Sequence, residues 1–212
     1  MIPEYPVWEI ERKASEVLLQ AYPRGLPETL VDIEWVIEGS VGLEIRPIPG
    51  LRQRWQLDGM LCCVAGHGYL VVVDEALLDQ AATRYRFTLG EELGHYVLHS
   101  CHLPRVETVE QGLRQYRGIE NWRRADRNAR RFAAAILMPL TTLVRNIERA
   151  YRACVRTTGF DDPERIRRFL IEYAADAYEV SREAADYRFR ENRGYLDRRI
   201  AKGVERRLEW LP

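Results

Sequence analysis

Apolar residues fall at helical spacing from the start of the chain. Trp8, Val17, Leu18 and Ala21 mark one face of an amphipathic helix over residues 8–22, stopped by Pro23, Gly25 and Pro27. Val31, Ile33, Val36 and Ile37 predict a shorter helix over 30–38, ended by Gly39 and Gly42. The period then changes to two. Residues 43–48 alternate and predict a strand with Pro47 at an edge or end. Residues 59–65 and 69–73 predict two more strands, joined as a hairpin through Gly66-His67-Gly68. No strand is expected after Val73. Residues 83–99 return to helical order with Pro104 as their limit, and the polar, glycine-punctuated 105–118 predicts a loop. A long helix is expected from Ile119 to Pro139, continued over 140–155 and broken at Thr157, Thr158 and Gly159. Asp162, Pro163 and Glu164 form a helix start for a segment running to about Tyr178, and Ser181 caps another to about Asn192. An arginine-rich amphipathic stretch follows, toward Trp210. The predicted class is α+β: a small antiparallel three-stranded sheet packed on helices, then a helical C-terminal region. Residues 1–140 are expected to form the core, and 141–212 the helical region packed on it.

The helix over 83–99 departs from a simple two-sided pattern. At about 100° per residue, Thr88, Glu91, Glu92, His95 and His99 share one narrow wedge. Leu89, Leu93, Tyr96, Val97 and Leu98 fill much of the rest, and Gly90 and Gly94 leave thin spots for close packing. A helix so widely apolar is buried. Carboxylates and imidazoles on it need partners or a cavity. Glu91 and His95 stand four residues apart, the spacing at which two side chains of one helix face grip one metal ion. Glu92 follows the first of them, where a general base acts on water. The usual zinc-peptidase form is HExxH; this chain reads EExxH. A third ligand is expected on the next long helix. Its apolar stripe, which includes Trp122, Ala125, Ala129, Phe132 and Ile136, also carries Asp126. Arg123, Arg124, Arg127, Arg130 and Arg131 are read as lying toward the other side. Plainer readings stand beside these: surface acids for Glu91 and Glu92, hydrogen-bonded core histidines for His95 and His99, an arginine partner for Asp126. His67, Cys101 and His102 are read as incidental.

Composition narrows the class. Formal net charge is zero over 212 residues, so no global field draws in nucleic acid or anionic lipid. Cys62, Cys63, Cys101 and Cys154 show no CxxC spacing and read as reduced packing residues. The start, Met-Ile-Pro-Glu-Tyr-Pro, lacks a basic region before an apolar run, and no apolar run reaches membrane-spanning length. A cytoplasmic location is expected, with no membrane partner.

With these residues in view, the chain resembles the ImmA/IrrE family of zincin-like metallo-endopeptidases. The matching segments are Arg86-Phe-Thr-Leu-Gly-Glu-Glu-Leu-Gly-His-Tyr-Val-Leu-His99 and Ala129-Arg-Arg-Phe-Ala-Ala-Ala-Ile-Leu-Met-Pro139. The usual forms are close to RFTLAHELGHxLLH and ExxANxFAAxLLMP. Residues 178–189 also look like the helix-turn-helix-like segment that follows such cores. The resemblance spans most of residues 8–198. It implies a zincin-like core holding one divalent metal by Glu91, His95 and Asp126, with Glu92 as base and Thr88 and His99 close to ligands or substrate. Zinc is implied by the family. Glu91 in place of the first histidine brings an extra negative charge, which favours Mn²⁺ or Mg²⁺ more than a histidine-rich shell does, and Asp126 in place of the commoner glutamate reaches one methylene less. The resemblance further implies a protein substrate or partner, typically a helix-turn-helix repressor or antitoxin. A substrate strand is expected to add to the edge formed by Leu70, Val71, Val72 and Val73. The expected function is a metal-dependent endopeptidase. The alternative is a catalytically altered peptidase-like module that binds its partner without cutting it. DNA binding through residues 181–199 is disfavoured by the interleaved Glu183, Asp186, Glu191 and Asp197.

Overall fold

Fifteen residues with a buried face of Ile10, Ala14, Leu18 and Ala21 form helix α1 (Val7–Ala21) in the computed structural model, which describes residues 2–116, 122–158 and 162–198. The next segment is helical but wider than an α-helix. Trp35–Val41 is a π-helix closed by Gly42 in the left-handed region. Strand β1 (Glu44–Ile48), helix α2 (Leu51–Trp55), strand β2 (Gly59–Val64) and strand β3 (Gly68–Asp74) follow. Gly66 and Gly68, at φ 77° and 79°, make the tight β2–β3 connection that a side chain would strain. Helix α3 (Ala76–Gln80) leads into α4 (Ala82–His99). Then come strand β4 (Arg105–Val106) and helices α5 (Val109–Tyr116), α6 (Trp122–Leu137), α7 (Leu140–Thr158), α8 (Pro163–Tyr178) and α9 (Arg182–Glu191).

The sheet differs from the predicted one. It has four strands in the order β1-β3-β2-β4 and is mixed: β2 and β3 are antiparallel, whereas β1 runs parallel to β3 and β4 parallel to β2. Of the segment 105–118, expected to be a loop, residues 105–116 supply β4 and all of α5. Both faces of the sheet are covered. Leu61, Val71 and Val73 enter the main core with Leu89, Leu93 and Phe132. Their neighbours Met60, Cys62, Leu70 and Val72 join a second cluster with Leu51, Val106 and Leu113. Successive strand residues point to opposite faces, so one run of apolar residues fills both clusters.

Two helices carry the candidate site, and they approach closely. A Cβ on Gly90 would lie 3.1 Å from Ala133 Cβ, and one on Gly94 would lie 3.1 Å from Ala129 Cα. The small residues let the α4 and α6 backbones meet and bring the wedge of α4 against α6. The predicted caps are present. Asp162 accepts from the N–H groups of Glu164 and Arg165, and Ser181 from that of Ala184. Helix α7 runs through Thr157 and Thr158 rather than breaking there. The predicted helix start at Ile119, the break at Gly159 and the stretch toward Trp210 lie outside the described residues. Among the described residues no helix is long and apolar enough to cross a membrane, and no disulfide forms.

Candidate functional site at the α4–α6 contact

The polar wedge of α4 is buried as its surroundings demand. Thr88, Glu92, His95 and His99 are all buried, while the Glu91 side chain keeps a quarter of its surface in solvent. Glycine at 59 is what allows α4 to lie so close to β2. A Cβ there would stand 2.5 Å from Thr88 Cγ2 and 3.3 Å from Glu92 Cγ. Glu92 accepts a hydrogen bond from the Leu61 backbone N–H. Its Oε2 is buried with no partner among the described residues. His95 lies flat on the Trp122 indole, with ring centroids 4.8 Å apart and planes 6° from parallel. Its Nε2 is 3.5 Å from Asp126 Oδ1. Its Nδ1 is 3.3 Å from Nδ1 of His99, a residue wholly enclosed by Tyr5, His95 and Asn128. Glu91 faces elsewhere: its Oε1 accepts from Arg130 Nε at 3.1 Å.

Burial sets the charge states. The Glu92 carboxyl is pushed well above the usual carboxylate range by desolvation and then by Glu91, against the opposing Leu61 N–H, with Asp126 adding further repulsion. Desolvation also raises Glu91, to about 7, although the Arg130 guanidinium pulls the other way. His99 is driven down to about 3 by burial and by its neighbours His95 and His102, so it is a neutral imidazole at ordinary pH.

Residues 69–190 match the family described as the IrrE N-terminal-like domain, a metallopeptidase family. That span covers more than half of the chain and includes α4, α6 and both candidate motifs. The chain belongs to the IrrE N-terminal-like family. No curated protein matches it in a sequence comparison. Membership gives the α4–α6 contact its context, a peptidase-like module.

Within this IrrE N-terminal-like module the candidate residues fall into two contacts, His95 with Asp126 and Glu91 with Arg130. His95 and Asp126 are brought together as expected. The Glu91 carboxylate accepts from Arg130 and lies near enough to Asp126 for the two carboxylates to repel. Among the described residues no group of three or more His, Cys, Asp or Glu side chains is arranged to hold a metal ion. Arg130 was expected on the far side of its helix. It stands one turn after Asp126, only about 40° round the helix, and its long side chain reaches Glu91. A signal for it existed in the sequence: where the family form reads Ala-Asn, this chain reads Ala129-Arg130. The first-histidine position and this one both depart from the family form, and the two residues now found there form an ion pair. The expected substrate edge is also corrected. Leu70, Val71, Val72 and Val73 lie on β3, which is paired on both sides by β1 and β2. An incoming strand finds no free backbone groups there.

Proposed function

We propose that this chain is a peptidase-like module that recognises a regulatory partner protein and does not hold the family's metal with the residues it has. The Glu91–Arg130 ion pair carries the reading. The Arg130 guanidinium already donates to the carboxyl at the first ligand position. A divalent cation placed there would have to displace that guanidinium and then sit beside it, and like charges at close range repel strongly in a partly buried site. The family supports a protein as the bound species. A helix-turn-helix repressor or antitoxin is the partner class we favour, met in the cytoplasm. Calorimetric titration of the full chain with Zn²⁺, Mn²⁺ and Mg²⁺ tests this. The native protein is expected to bind none of them tightly, and Arg130→Ala to gain affinity because it frees Glu91. Stoichiometric uptake by the native chain would contradict the proposal.

One observation favours a second reading, a metal-dependent endopeptidase with Glu92 as base and Glu91, His95 and Asp126 as ligands. Glu92 Oε2 is a buried carboxylate oxygen without a partner, beside the His95–Asp126 pair. On that reading a helix-turn-helix repressor incubated with the native chain is cut, and Glu92→Gln abolishes the cutting.

A further inference from the structure

We infer that Asn128 is a positioning residue that gives direction to a buried hydrogen-bond chain, Asn128 to His99 to His95, and so keeps a proton on His95 Nε2, the nitrogen that faces Asp126. The inference rests on the reading that His95 carries no metal. Its starting point is the Pro3 carbonyl, 3.1 Å from Asn128 Nδ2. A carbonyl oxygen only accepts, so the amide atom facing it is the nitrogen; the flipped amide would set two acceptors against each other. The same nitrogen lies 3.4 Å from His99 Nε2 and has a second hydrogen to give it. His99 Nε2 therefore accepts. A neutral imidazole has one N–H and one lone pair, so the His99 proton is on Nδ1. That Nδ1 faces His95 Nδ1 at 3.3 Å, which must accept in turn. The His95 proton is then on Nε2, directed at the Asp126 carboxylate 3.5 Å away.

Every link in this direction sets a donor against an acceptor. In the reverse direction His99 Nε2–H would face the Asn128 N–H, and the His95 Nε2 lone pair would face a carboxylate. The first mismatch would be wholly buried, where unmet polar groups are costly, and the second would set a lone pair against a carboxylate. The anchor is itself held. Arg124 Nη1 donates to the Ile2 carbonyl at 3.2 Å, and the Tyr5 hydroxyl donates to the Leu98 carbonyl at 3.1 Å, which fixes the segment carrying Pro3 against α4 and α6. The His95 ring cannot turn freely because it lies flat on Trp122. The consequence for the site is specific. His95 presents an N–H at Nε2 and would meet a hydrogen-bond acceptor there; a cation would need that nitrogen's lone pair.

The test is nitrogen NMR of the metal-free full chain with ¹⁵N-labelled histidine, in which the two ring nitrogens report separately as N–H or lone-pair type. His67→Gln and His102→Gln assign the remaining signals. The native chain is expected to show His95 protonated on Nε2 and His99 on Nδ1. Asn128→Asp, whose carboxylate accepts from His99 Nε2–H, is expected to switch both rings to the opposite tautomer. His95 protonated on Nδ1 in the native chain would overturn the inference, whether or not the variant folds. A folded Asn128→Asp that keeps the native pattern would also overturn it. Metal titration fails or succeeds separately: zinc uptake by a chain with the expected tautomers would sink the proposed function and leave the role of Asn128 standing.

Discussion

At Glu92 a carboxyl is enclosed between α4 and β2 with one oxygen satisfied and one not. Its raised proton affinity means that the folded state holds a proton the unfolded chain has released. Stability contributed by such a group falls as pH rises from the unfolded pKa through the folded one. Glu92→Gln is therefore expected to raise stability at pH 7, read from urea unfolding; unchanged or lower stability would mean that the carboxylate has a partner in solution. His99 acts in the opposite sense. It stays neutral in the folded chain down to about pH 3, whereas the unfolded residue protonates near 6.5. Stability should fall as pH drops through that window, and the loss should be shallower in His99→Gln. At this scale spacing gathered Thr88, Glu91, Glu92, His95 and His99 into one wedge and placed Asp126 opposite. It missed Arg130 and Asn128. A helical wheel gives direction but not reach, and neither a long guanidinium bending back one turn nor an amide meeting the far N-terminus is a local property.

The α4–α6 contact decides whether any of these side chains meet. Gly94→Ala adds helix propensity worth about 1 kcal/mol, yet its methyl would lie 3.1 Å from both Cα and carbonyl O of Ala129. Backbone cannot yield as a flexible side chain does, so we expect net destabilisation of about 1–3 kcal/mol, with the midpoint of denaturation as the readout. A more stable variant would mean that the helices can part at no cost. Long elements were legible because period and caps agreed: α1, α4, α8 and α9 match their predicted bounds to within one or two residues. Strand β4, with two residues, is too short to show a period, and α5 begins just beyond it. Strand β3 is central rather than at an edge. Leu70-Val-Val-Val73 is apolar without alternation, the signature of a strand covered on both faces, but which strands flank it is set by backbone pairing with β1 and β2.

Across the whole molecule the C-terminal helices are tied to the first helix through one buried cation. Arg188 donates to both carboxylate oxygens of Glu11 on α1 and, through Nε, to the Met138 carbonyl at the end of α6 at 3.1 Å. Arg188→Met removes one partner of a buried pair and is expected to cost about 3 kcal/mol, with part recovered in Glu11→Gln/Arg188→Met; equal losses in the single and double variants would show that the pair is not the source. None of these long-range ties could be read from the pattern of apolar and polar positions. The same distinction governs function: the family was visible in two motifs, but the fate of the metal position depends on a contact between them. The most direct test is zinc stoichiometry, by elemental analysis, of the native chain and of Glu91→His/Arg130→Asn, which restores the family residues at both positions. The expected result is no bound zinc in the native protein and one zinc per chain in the double variant; one zinc per native chain would contradict the claim that Arg130 holds the place of the metal.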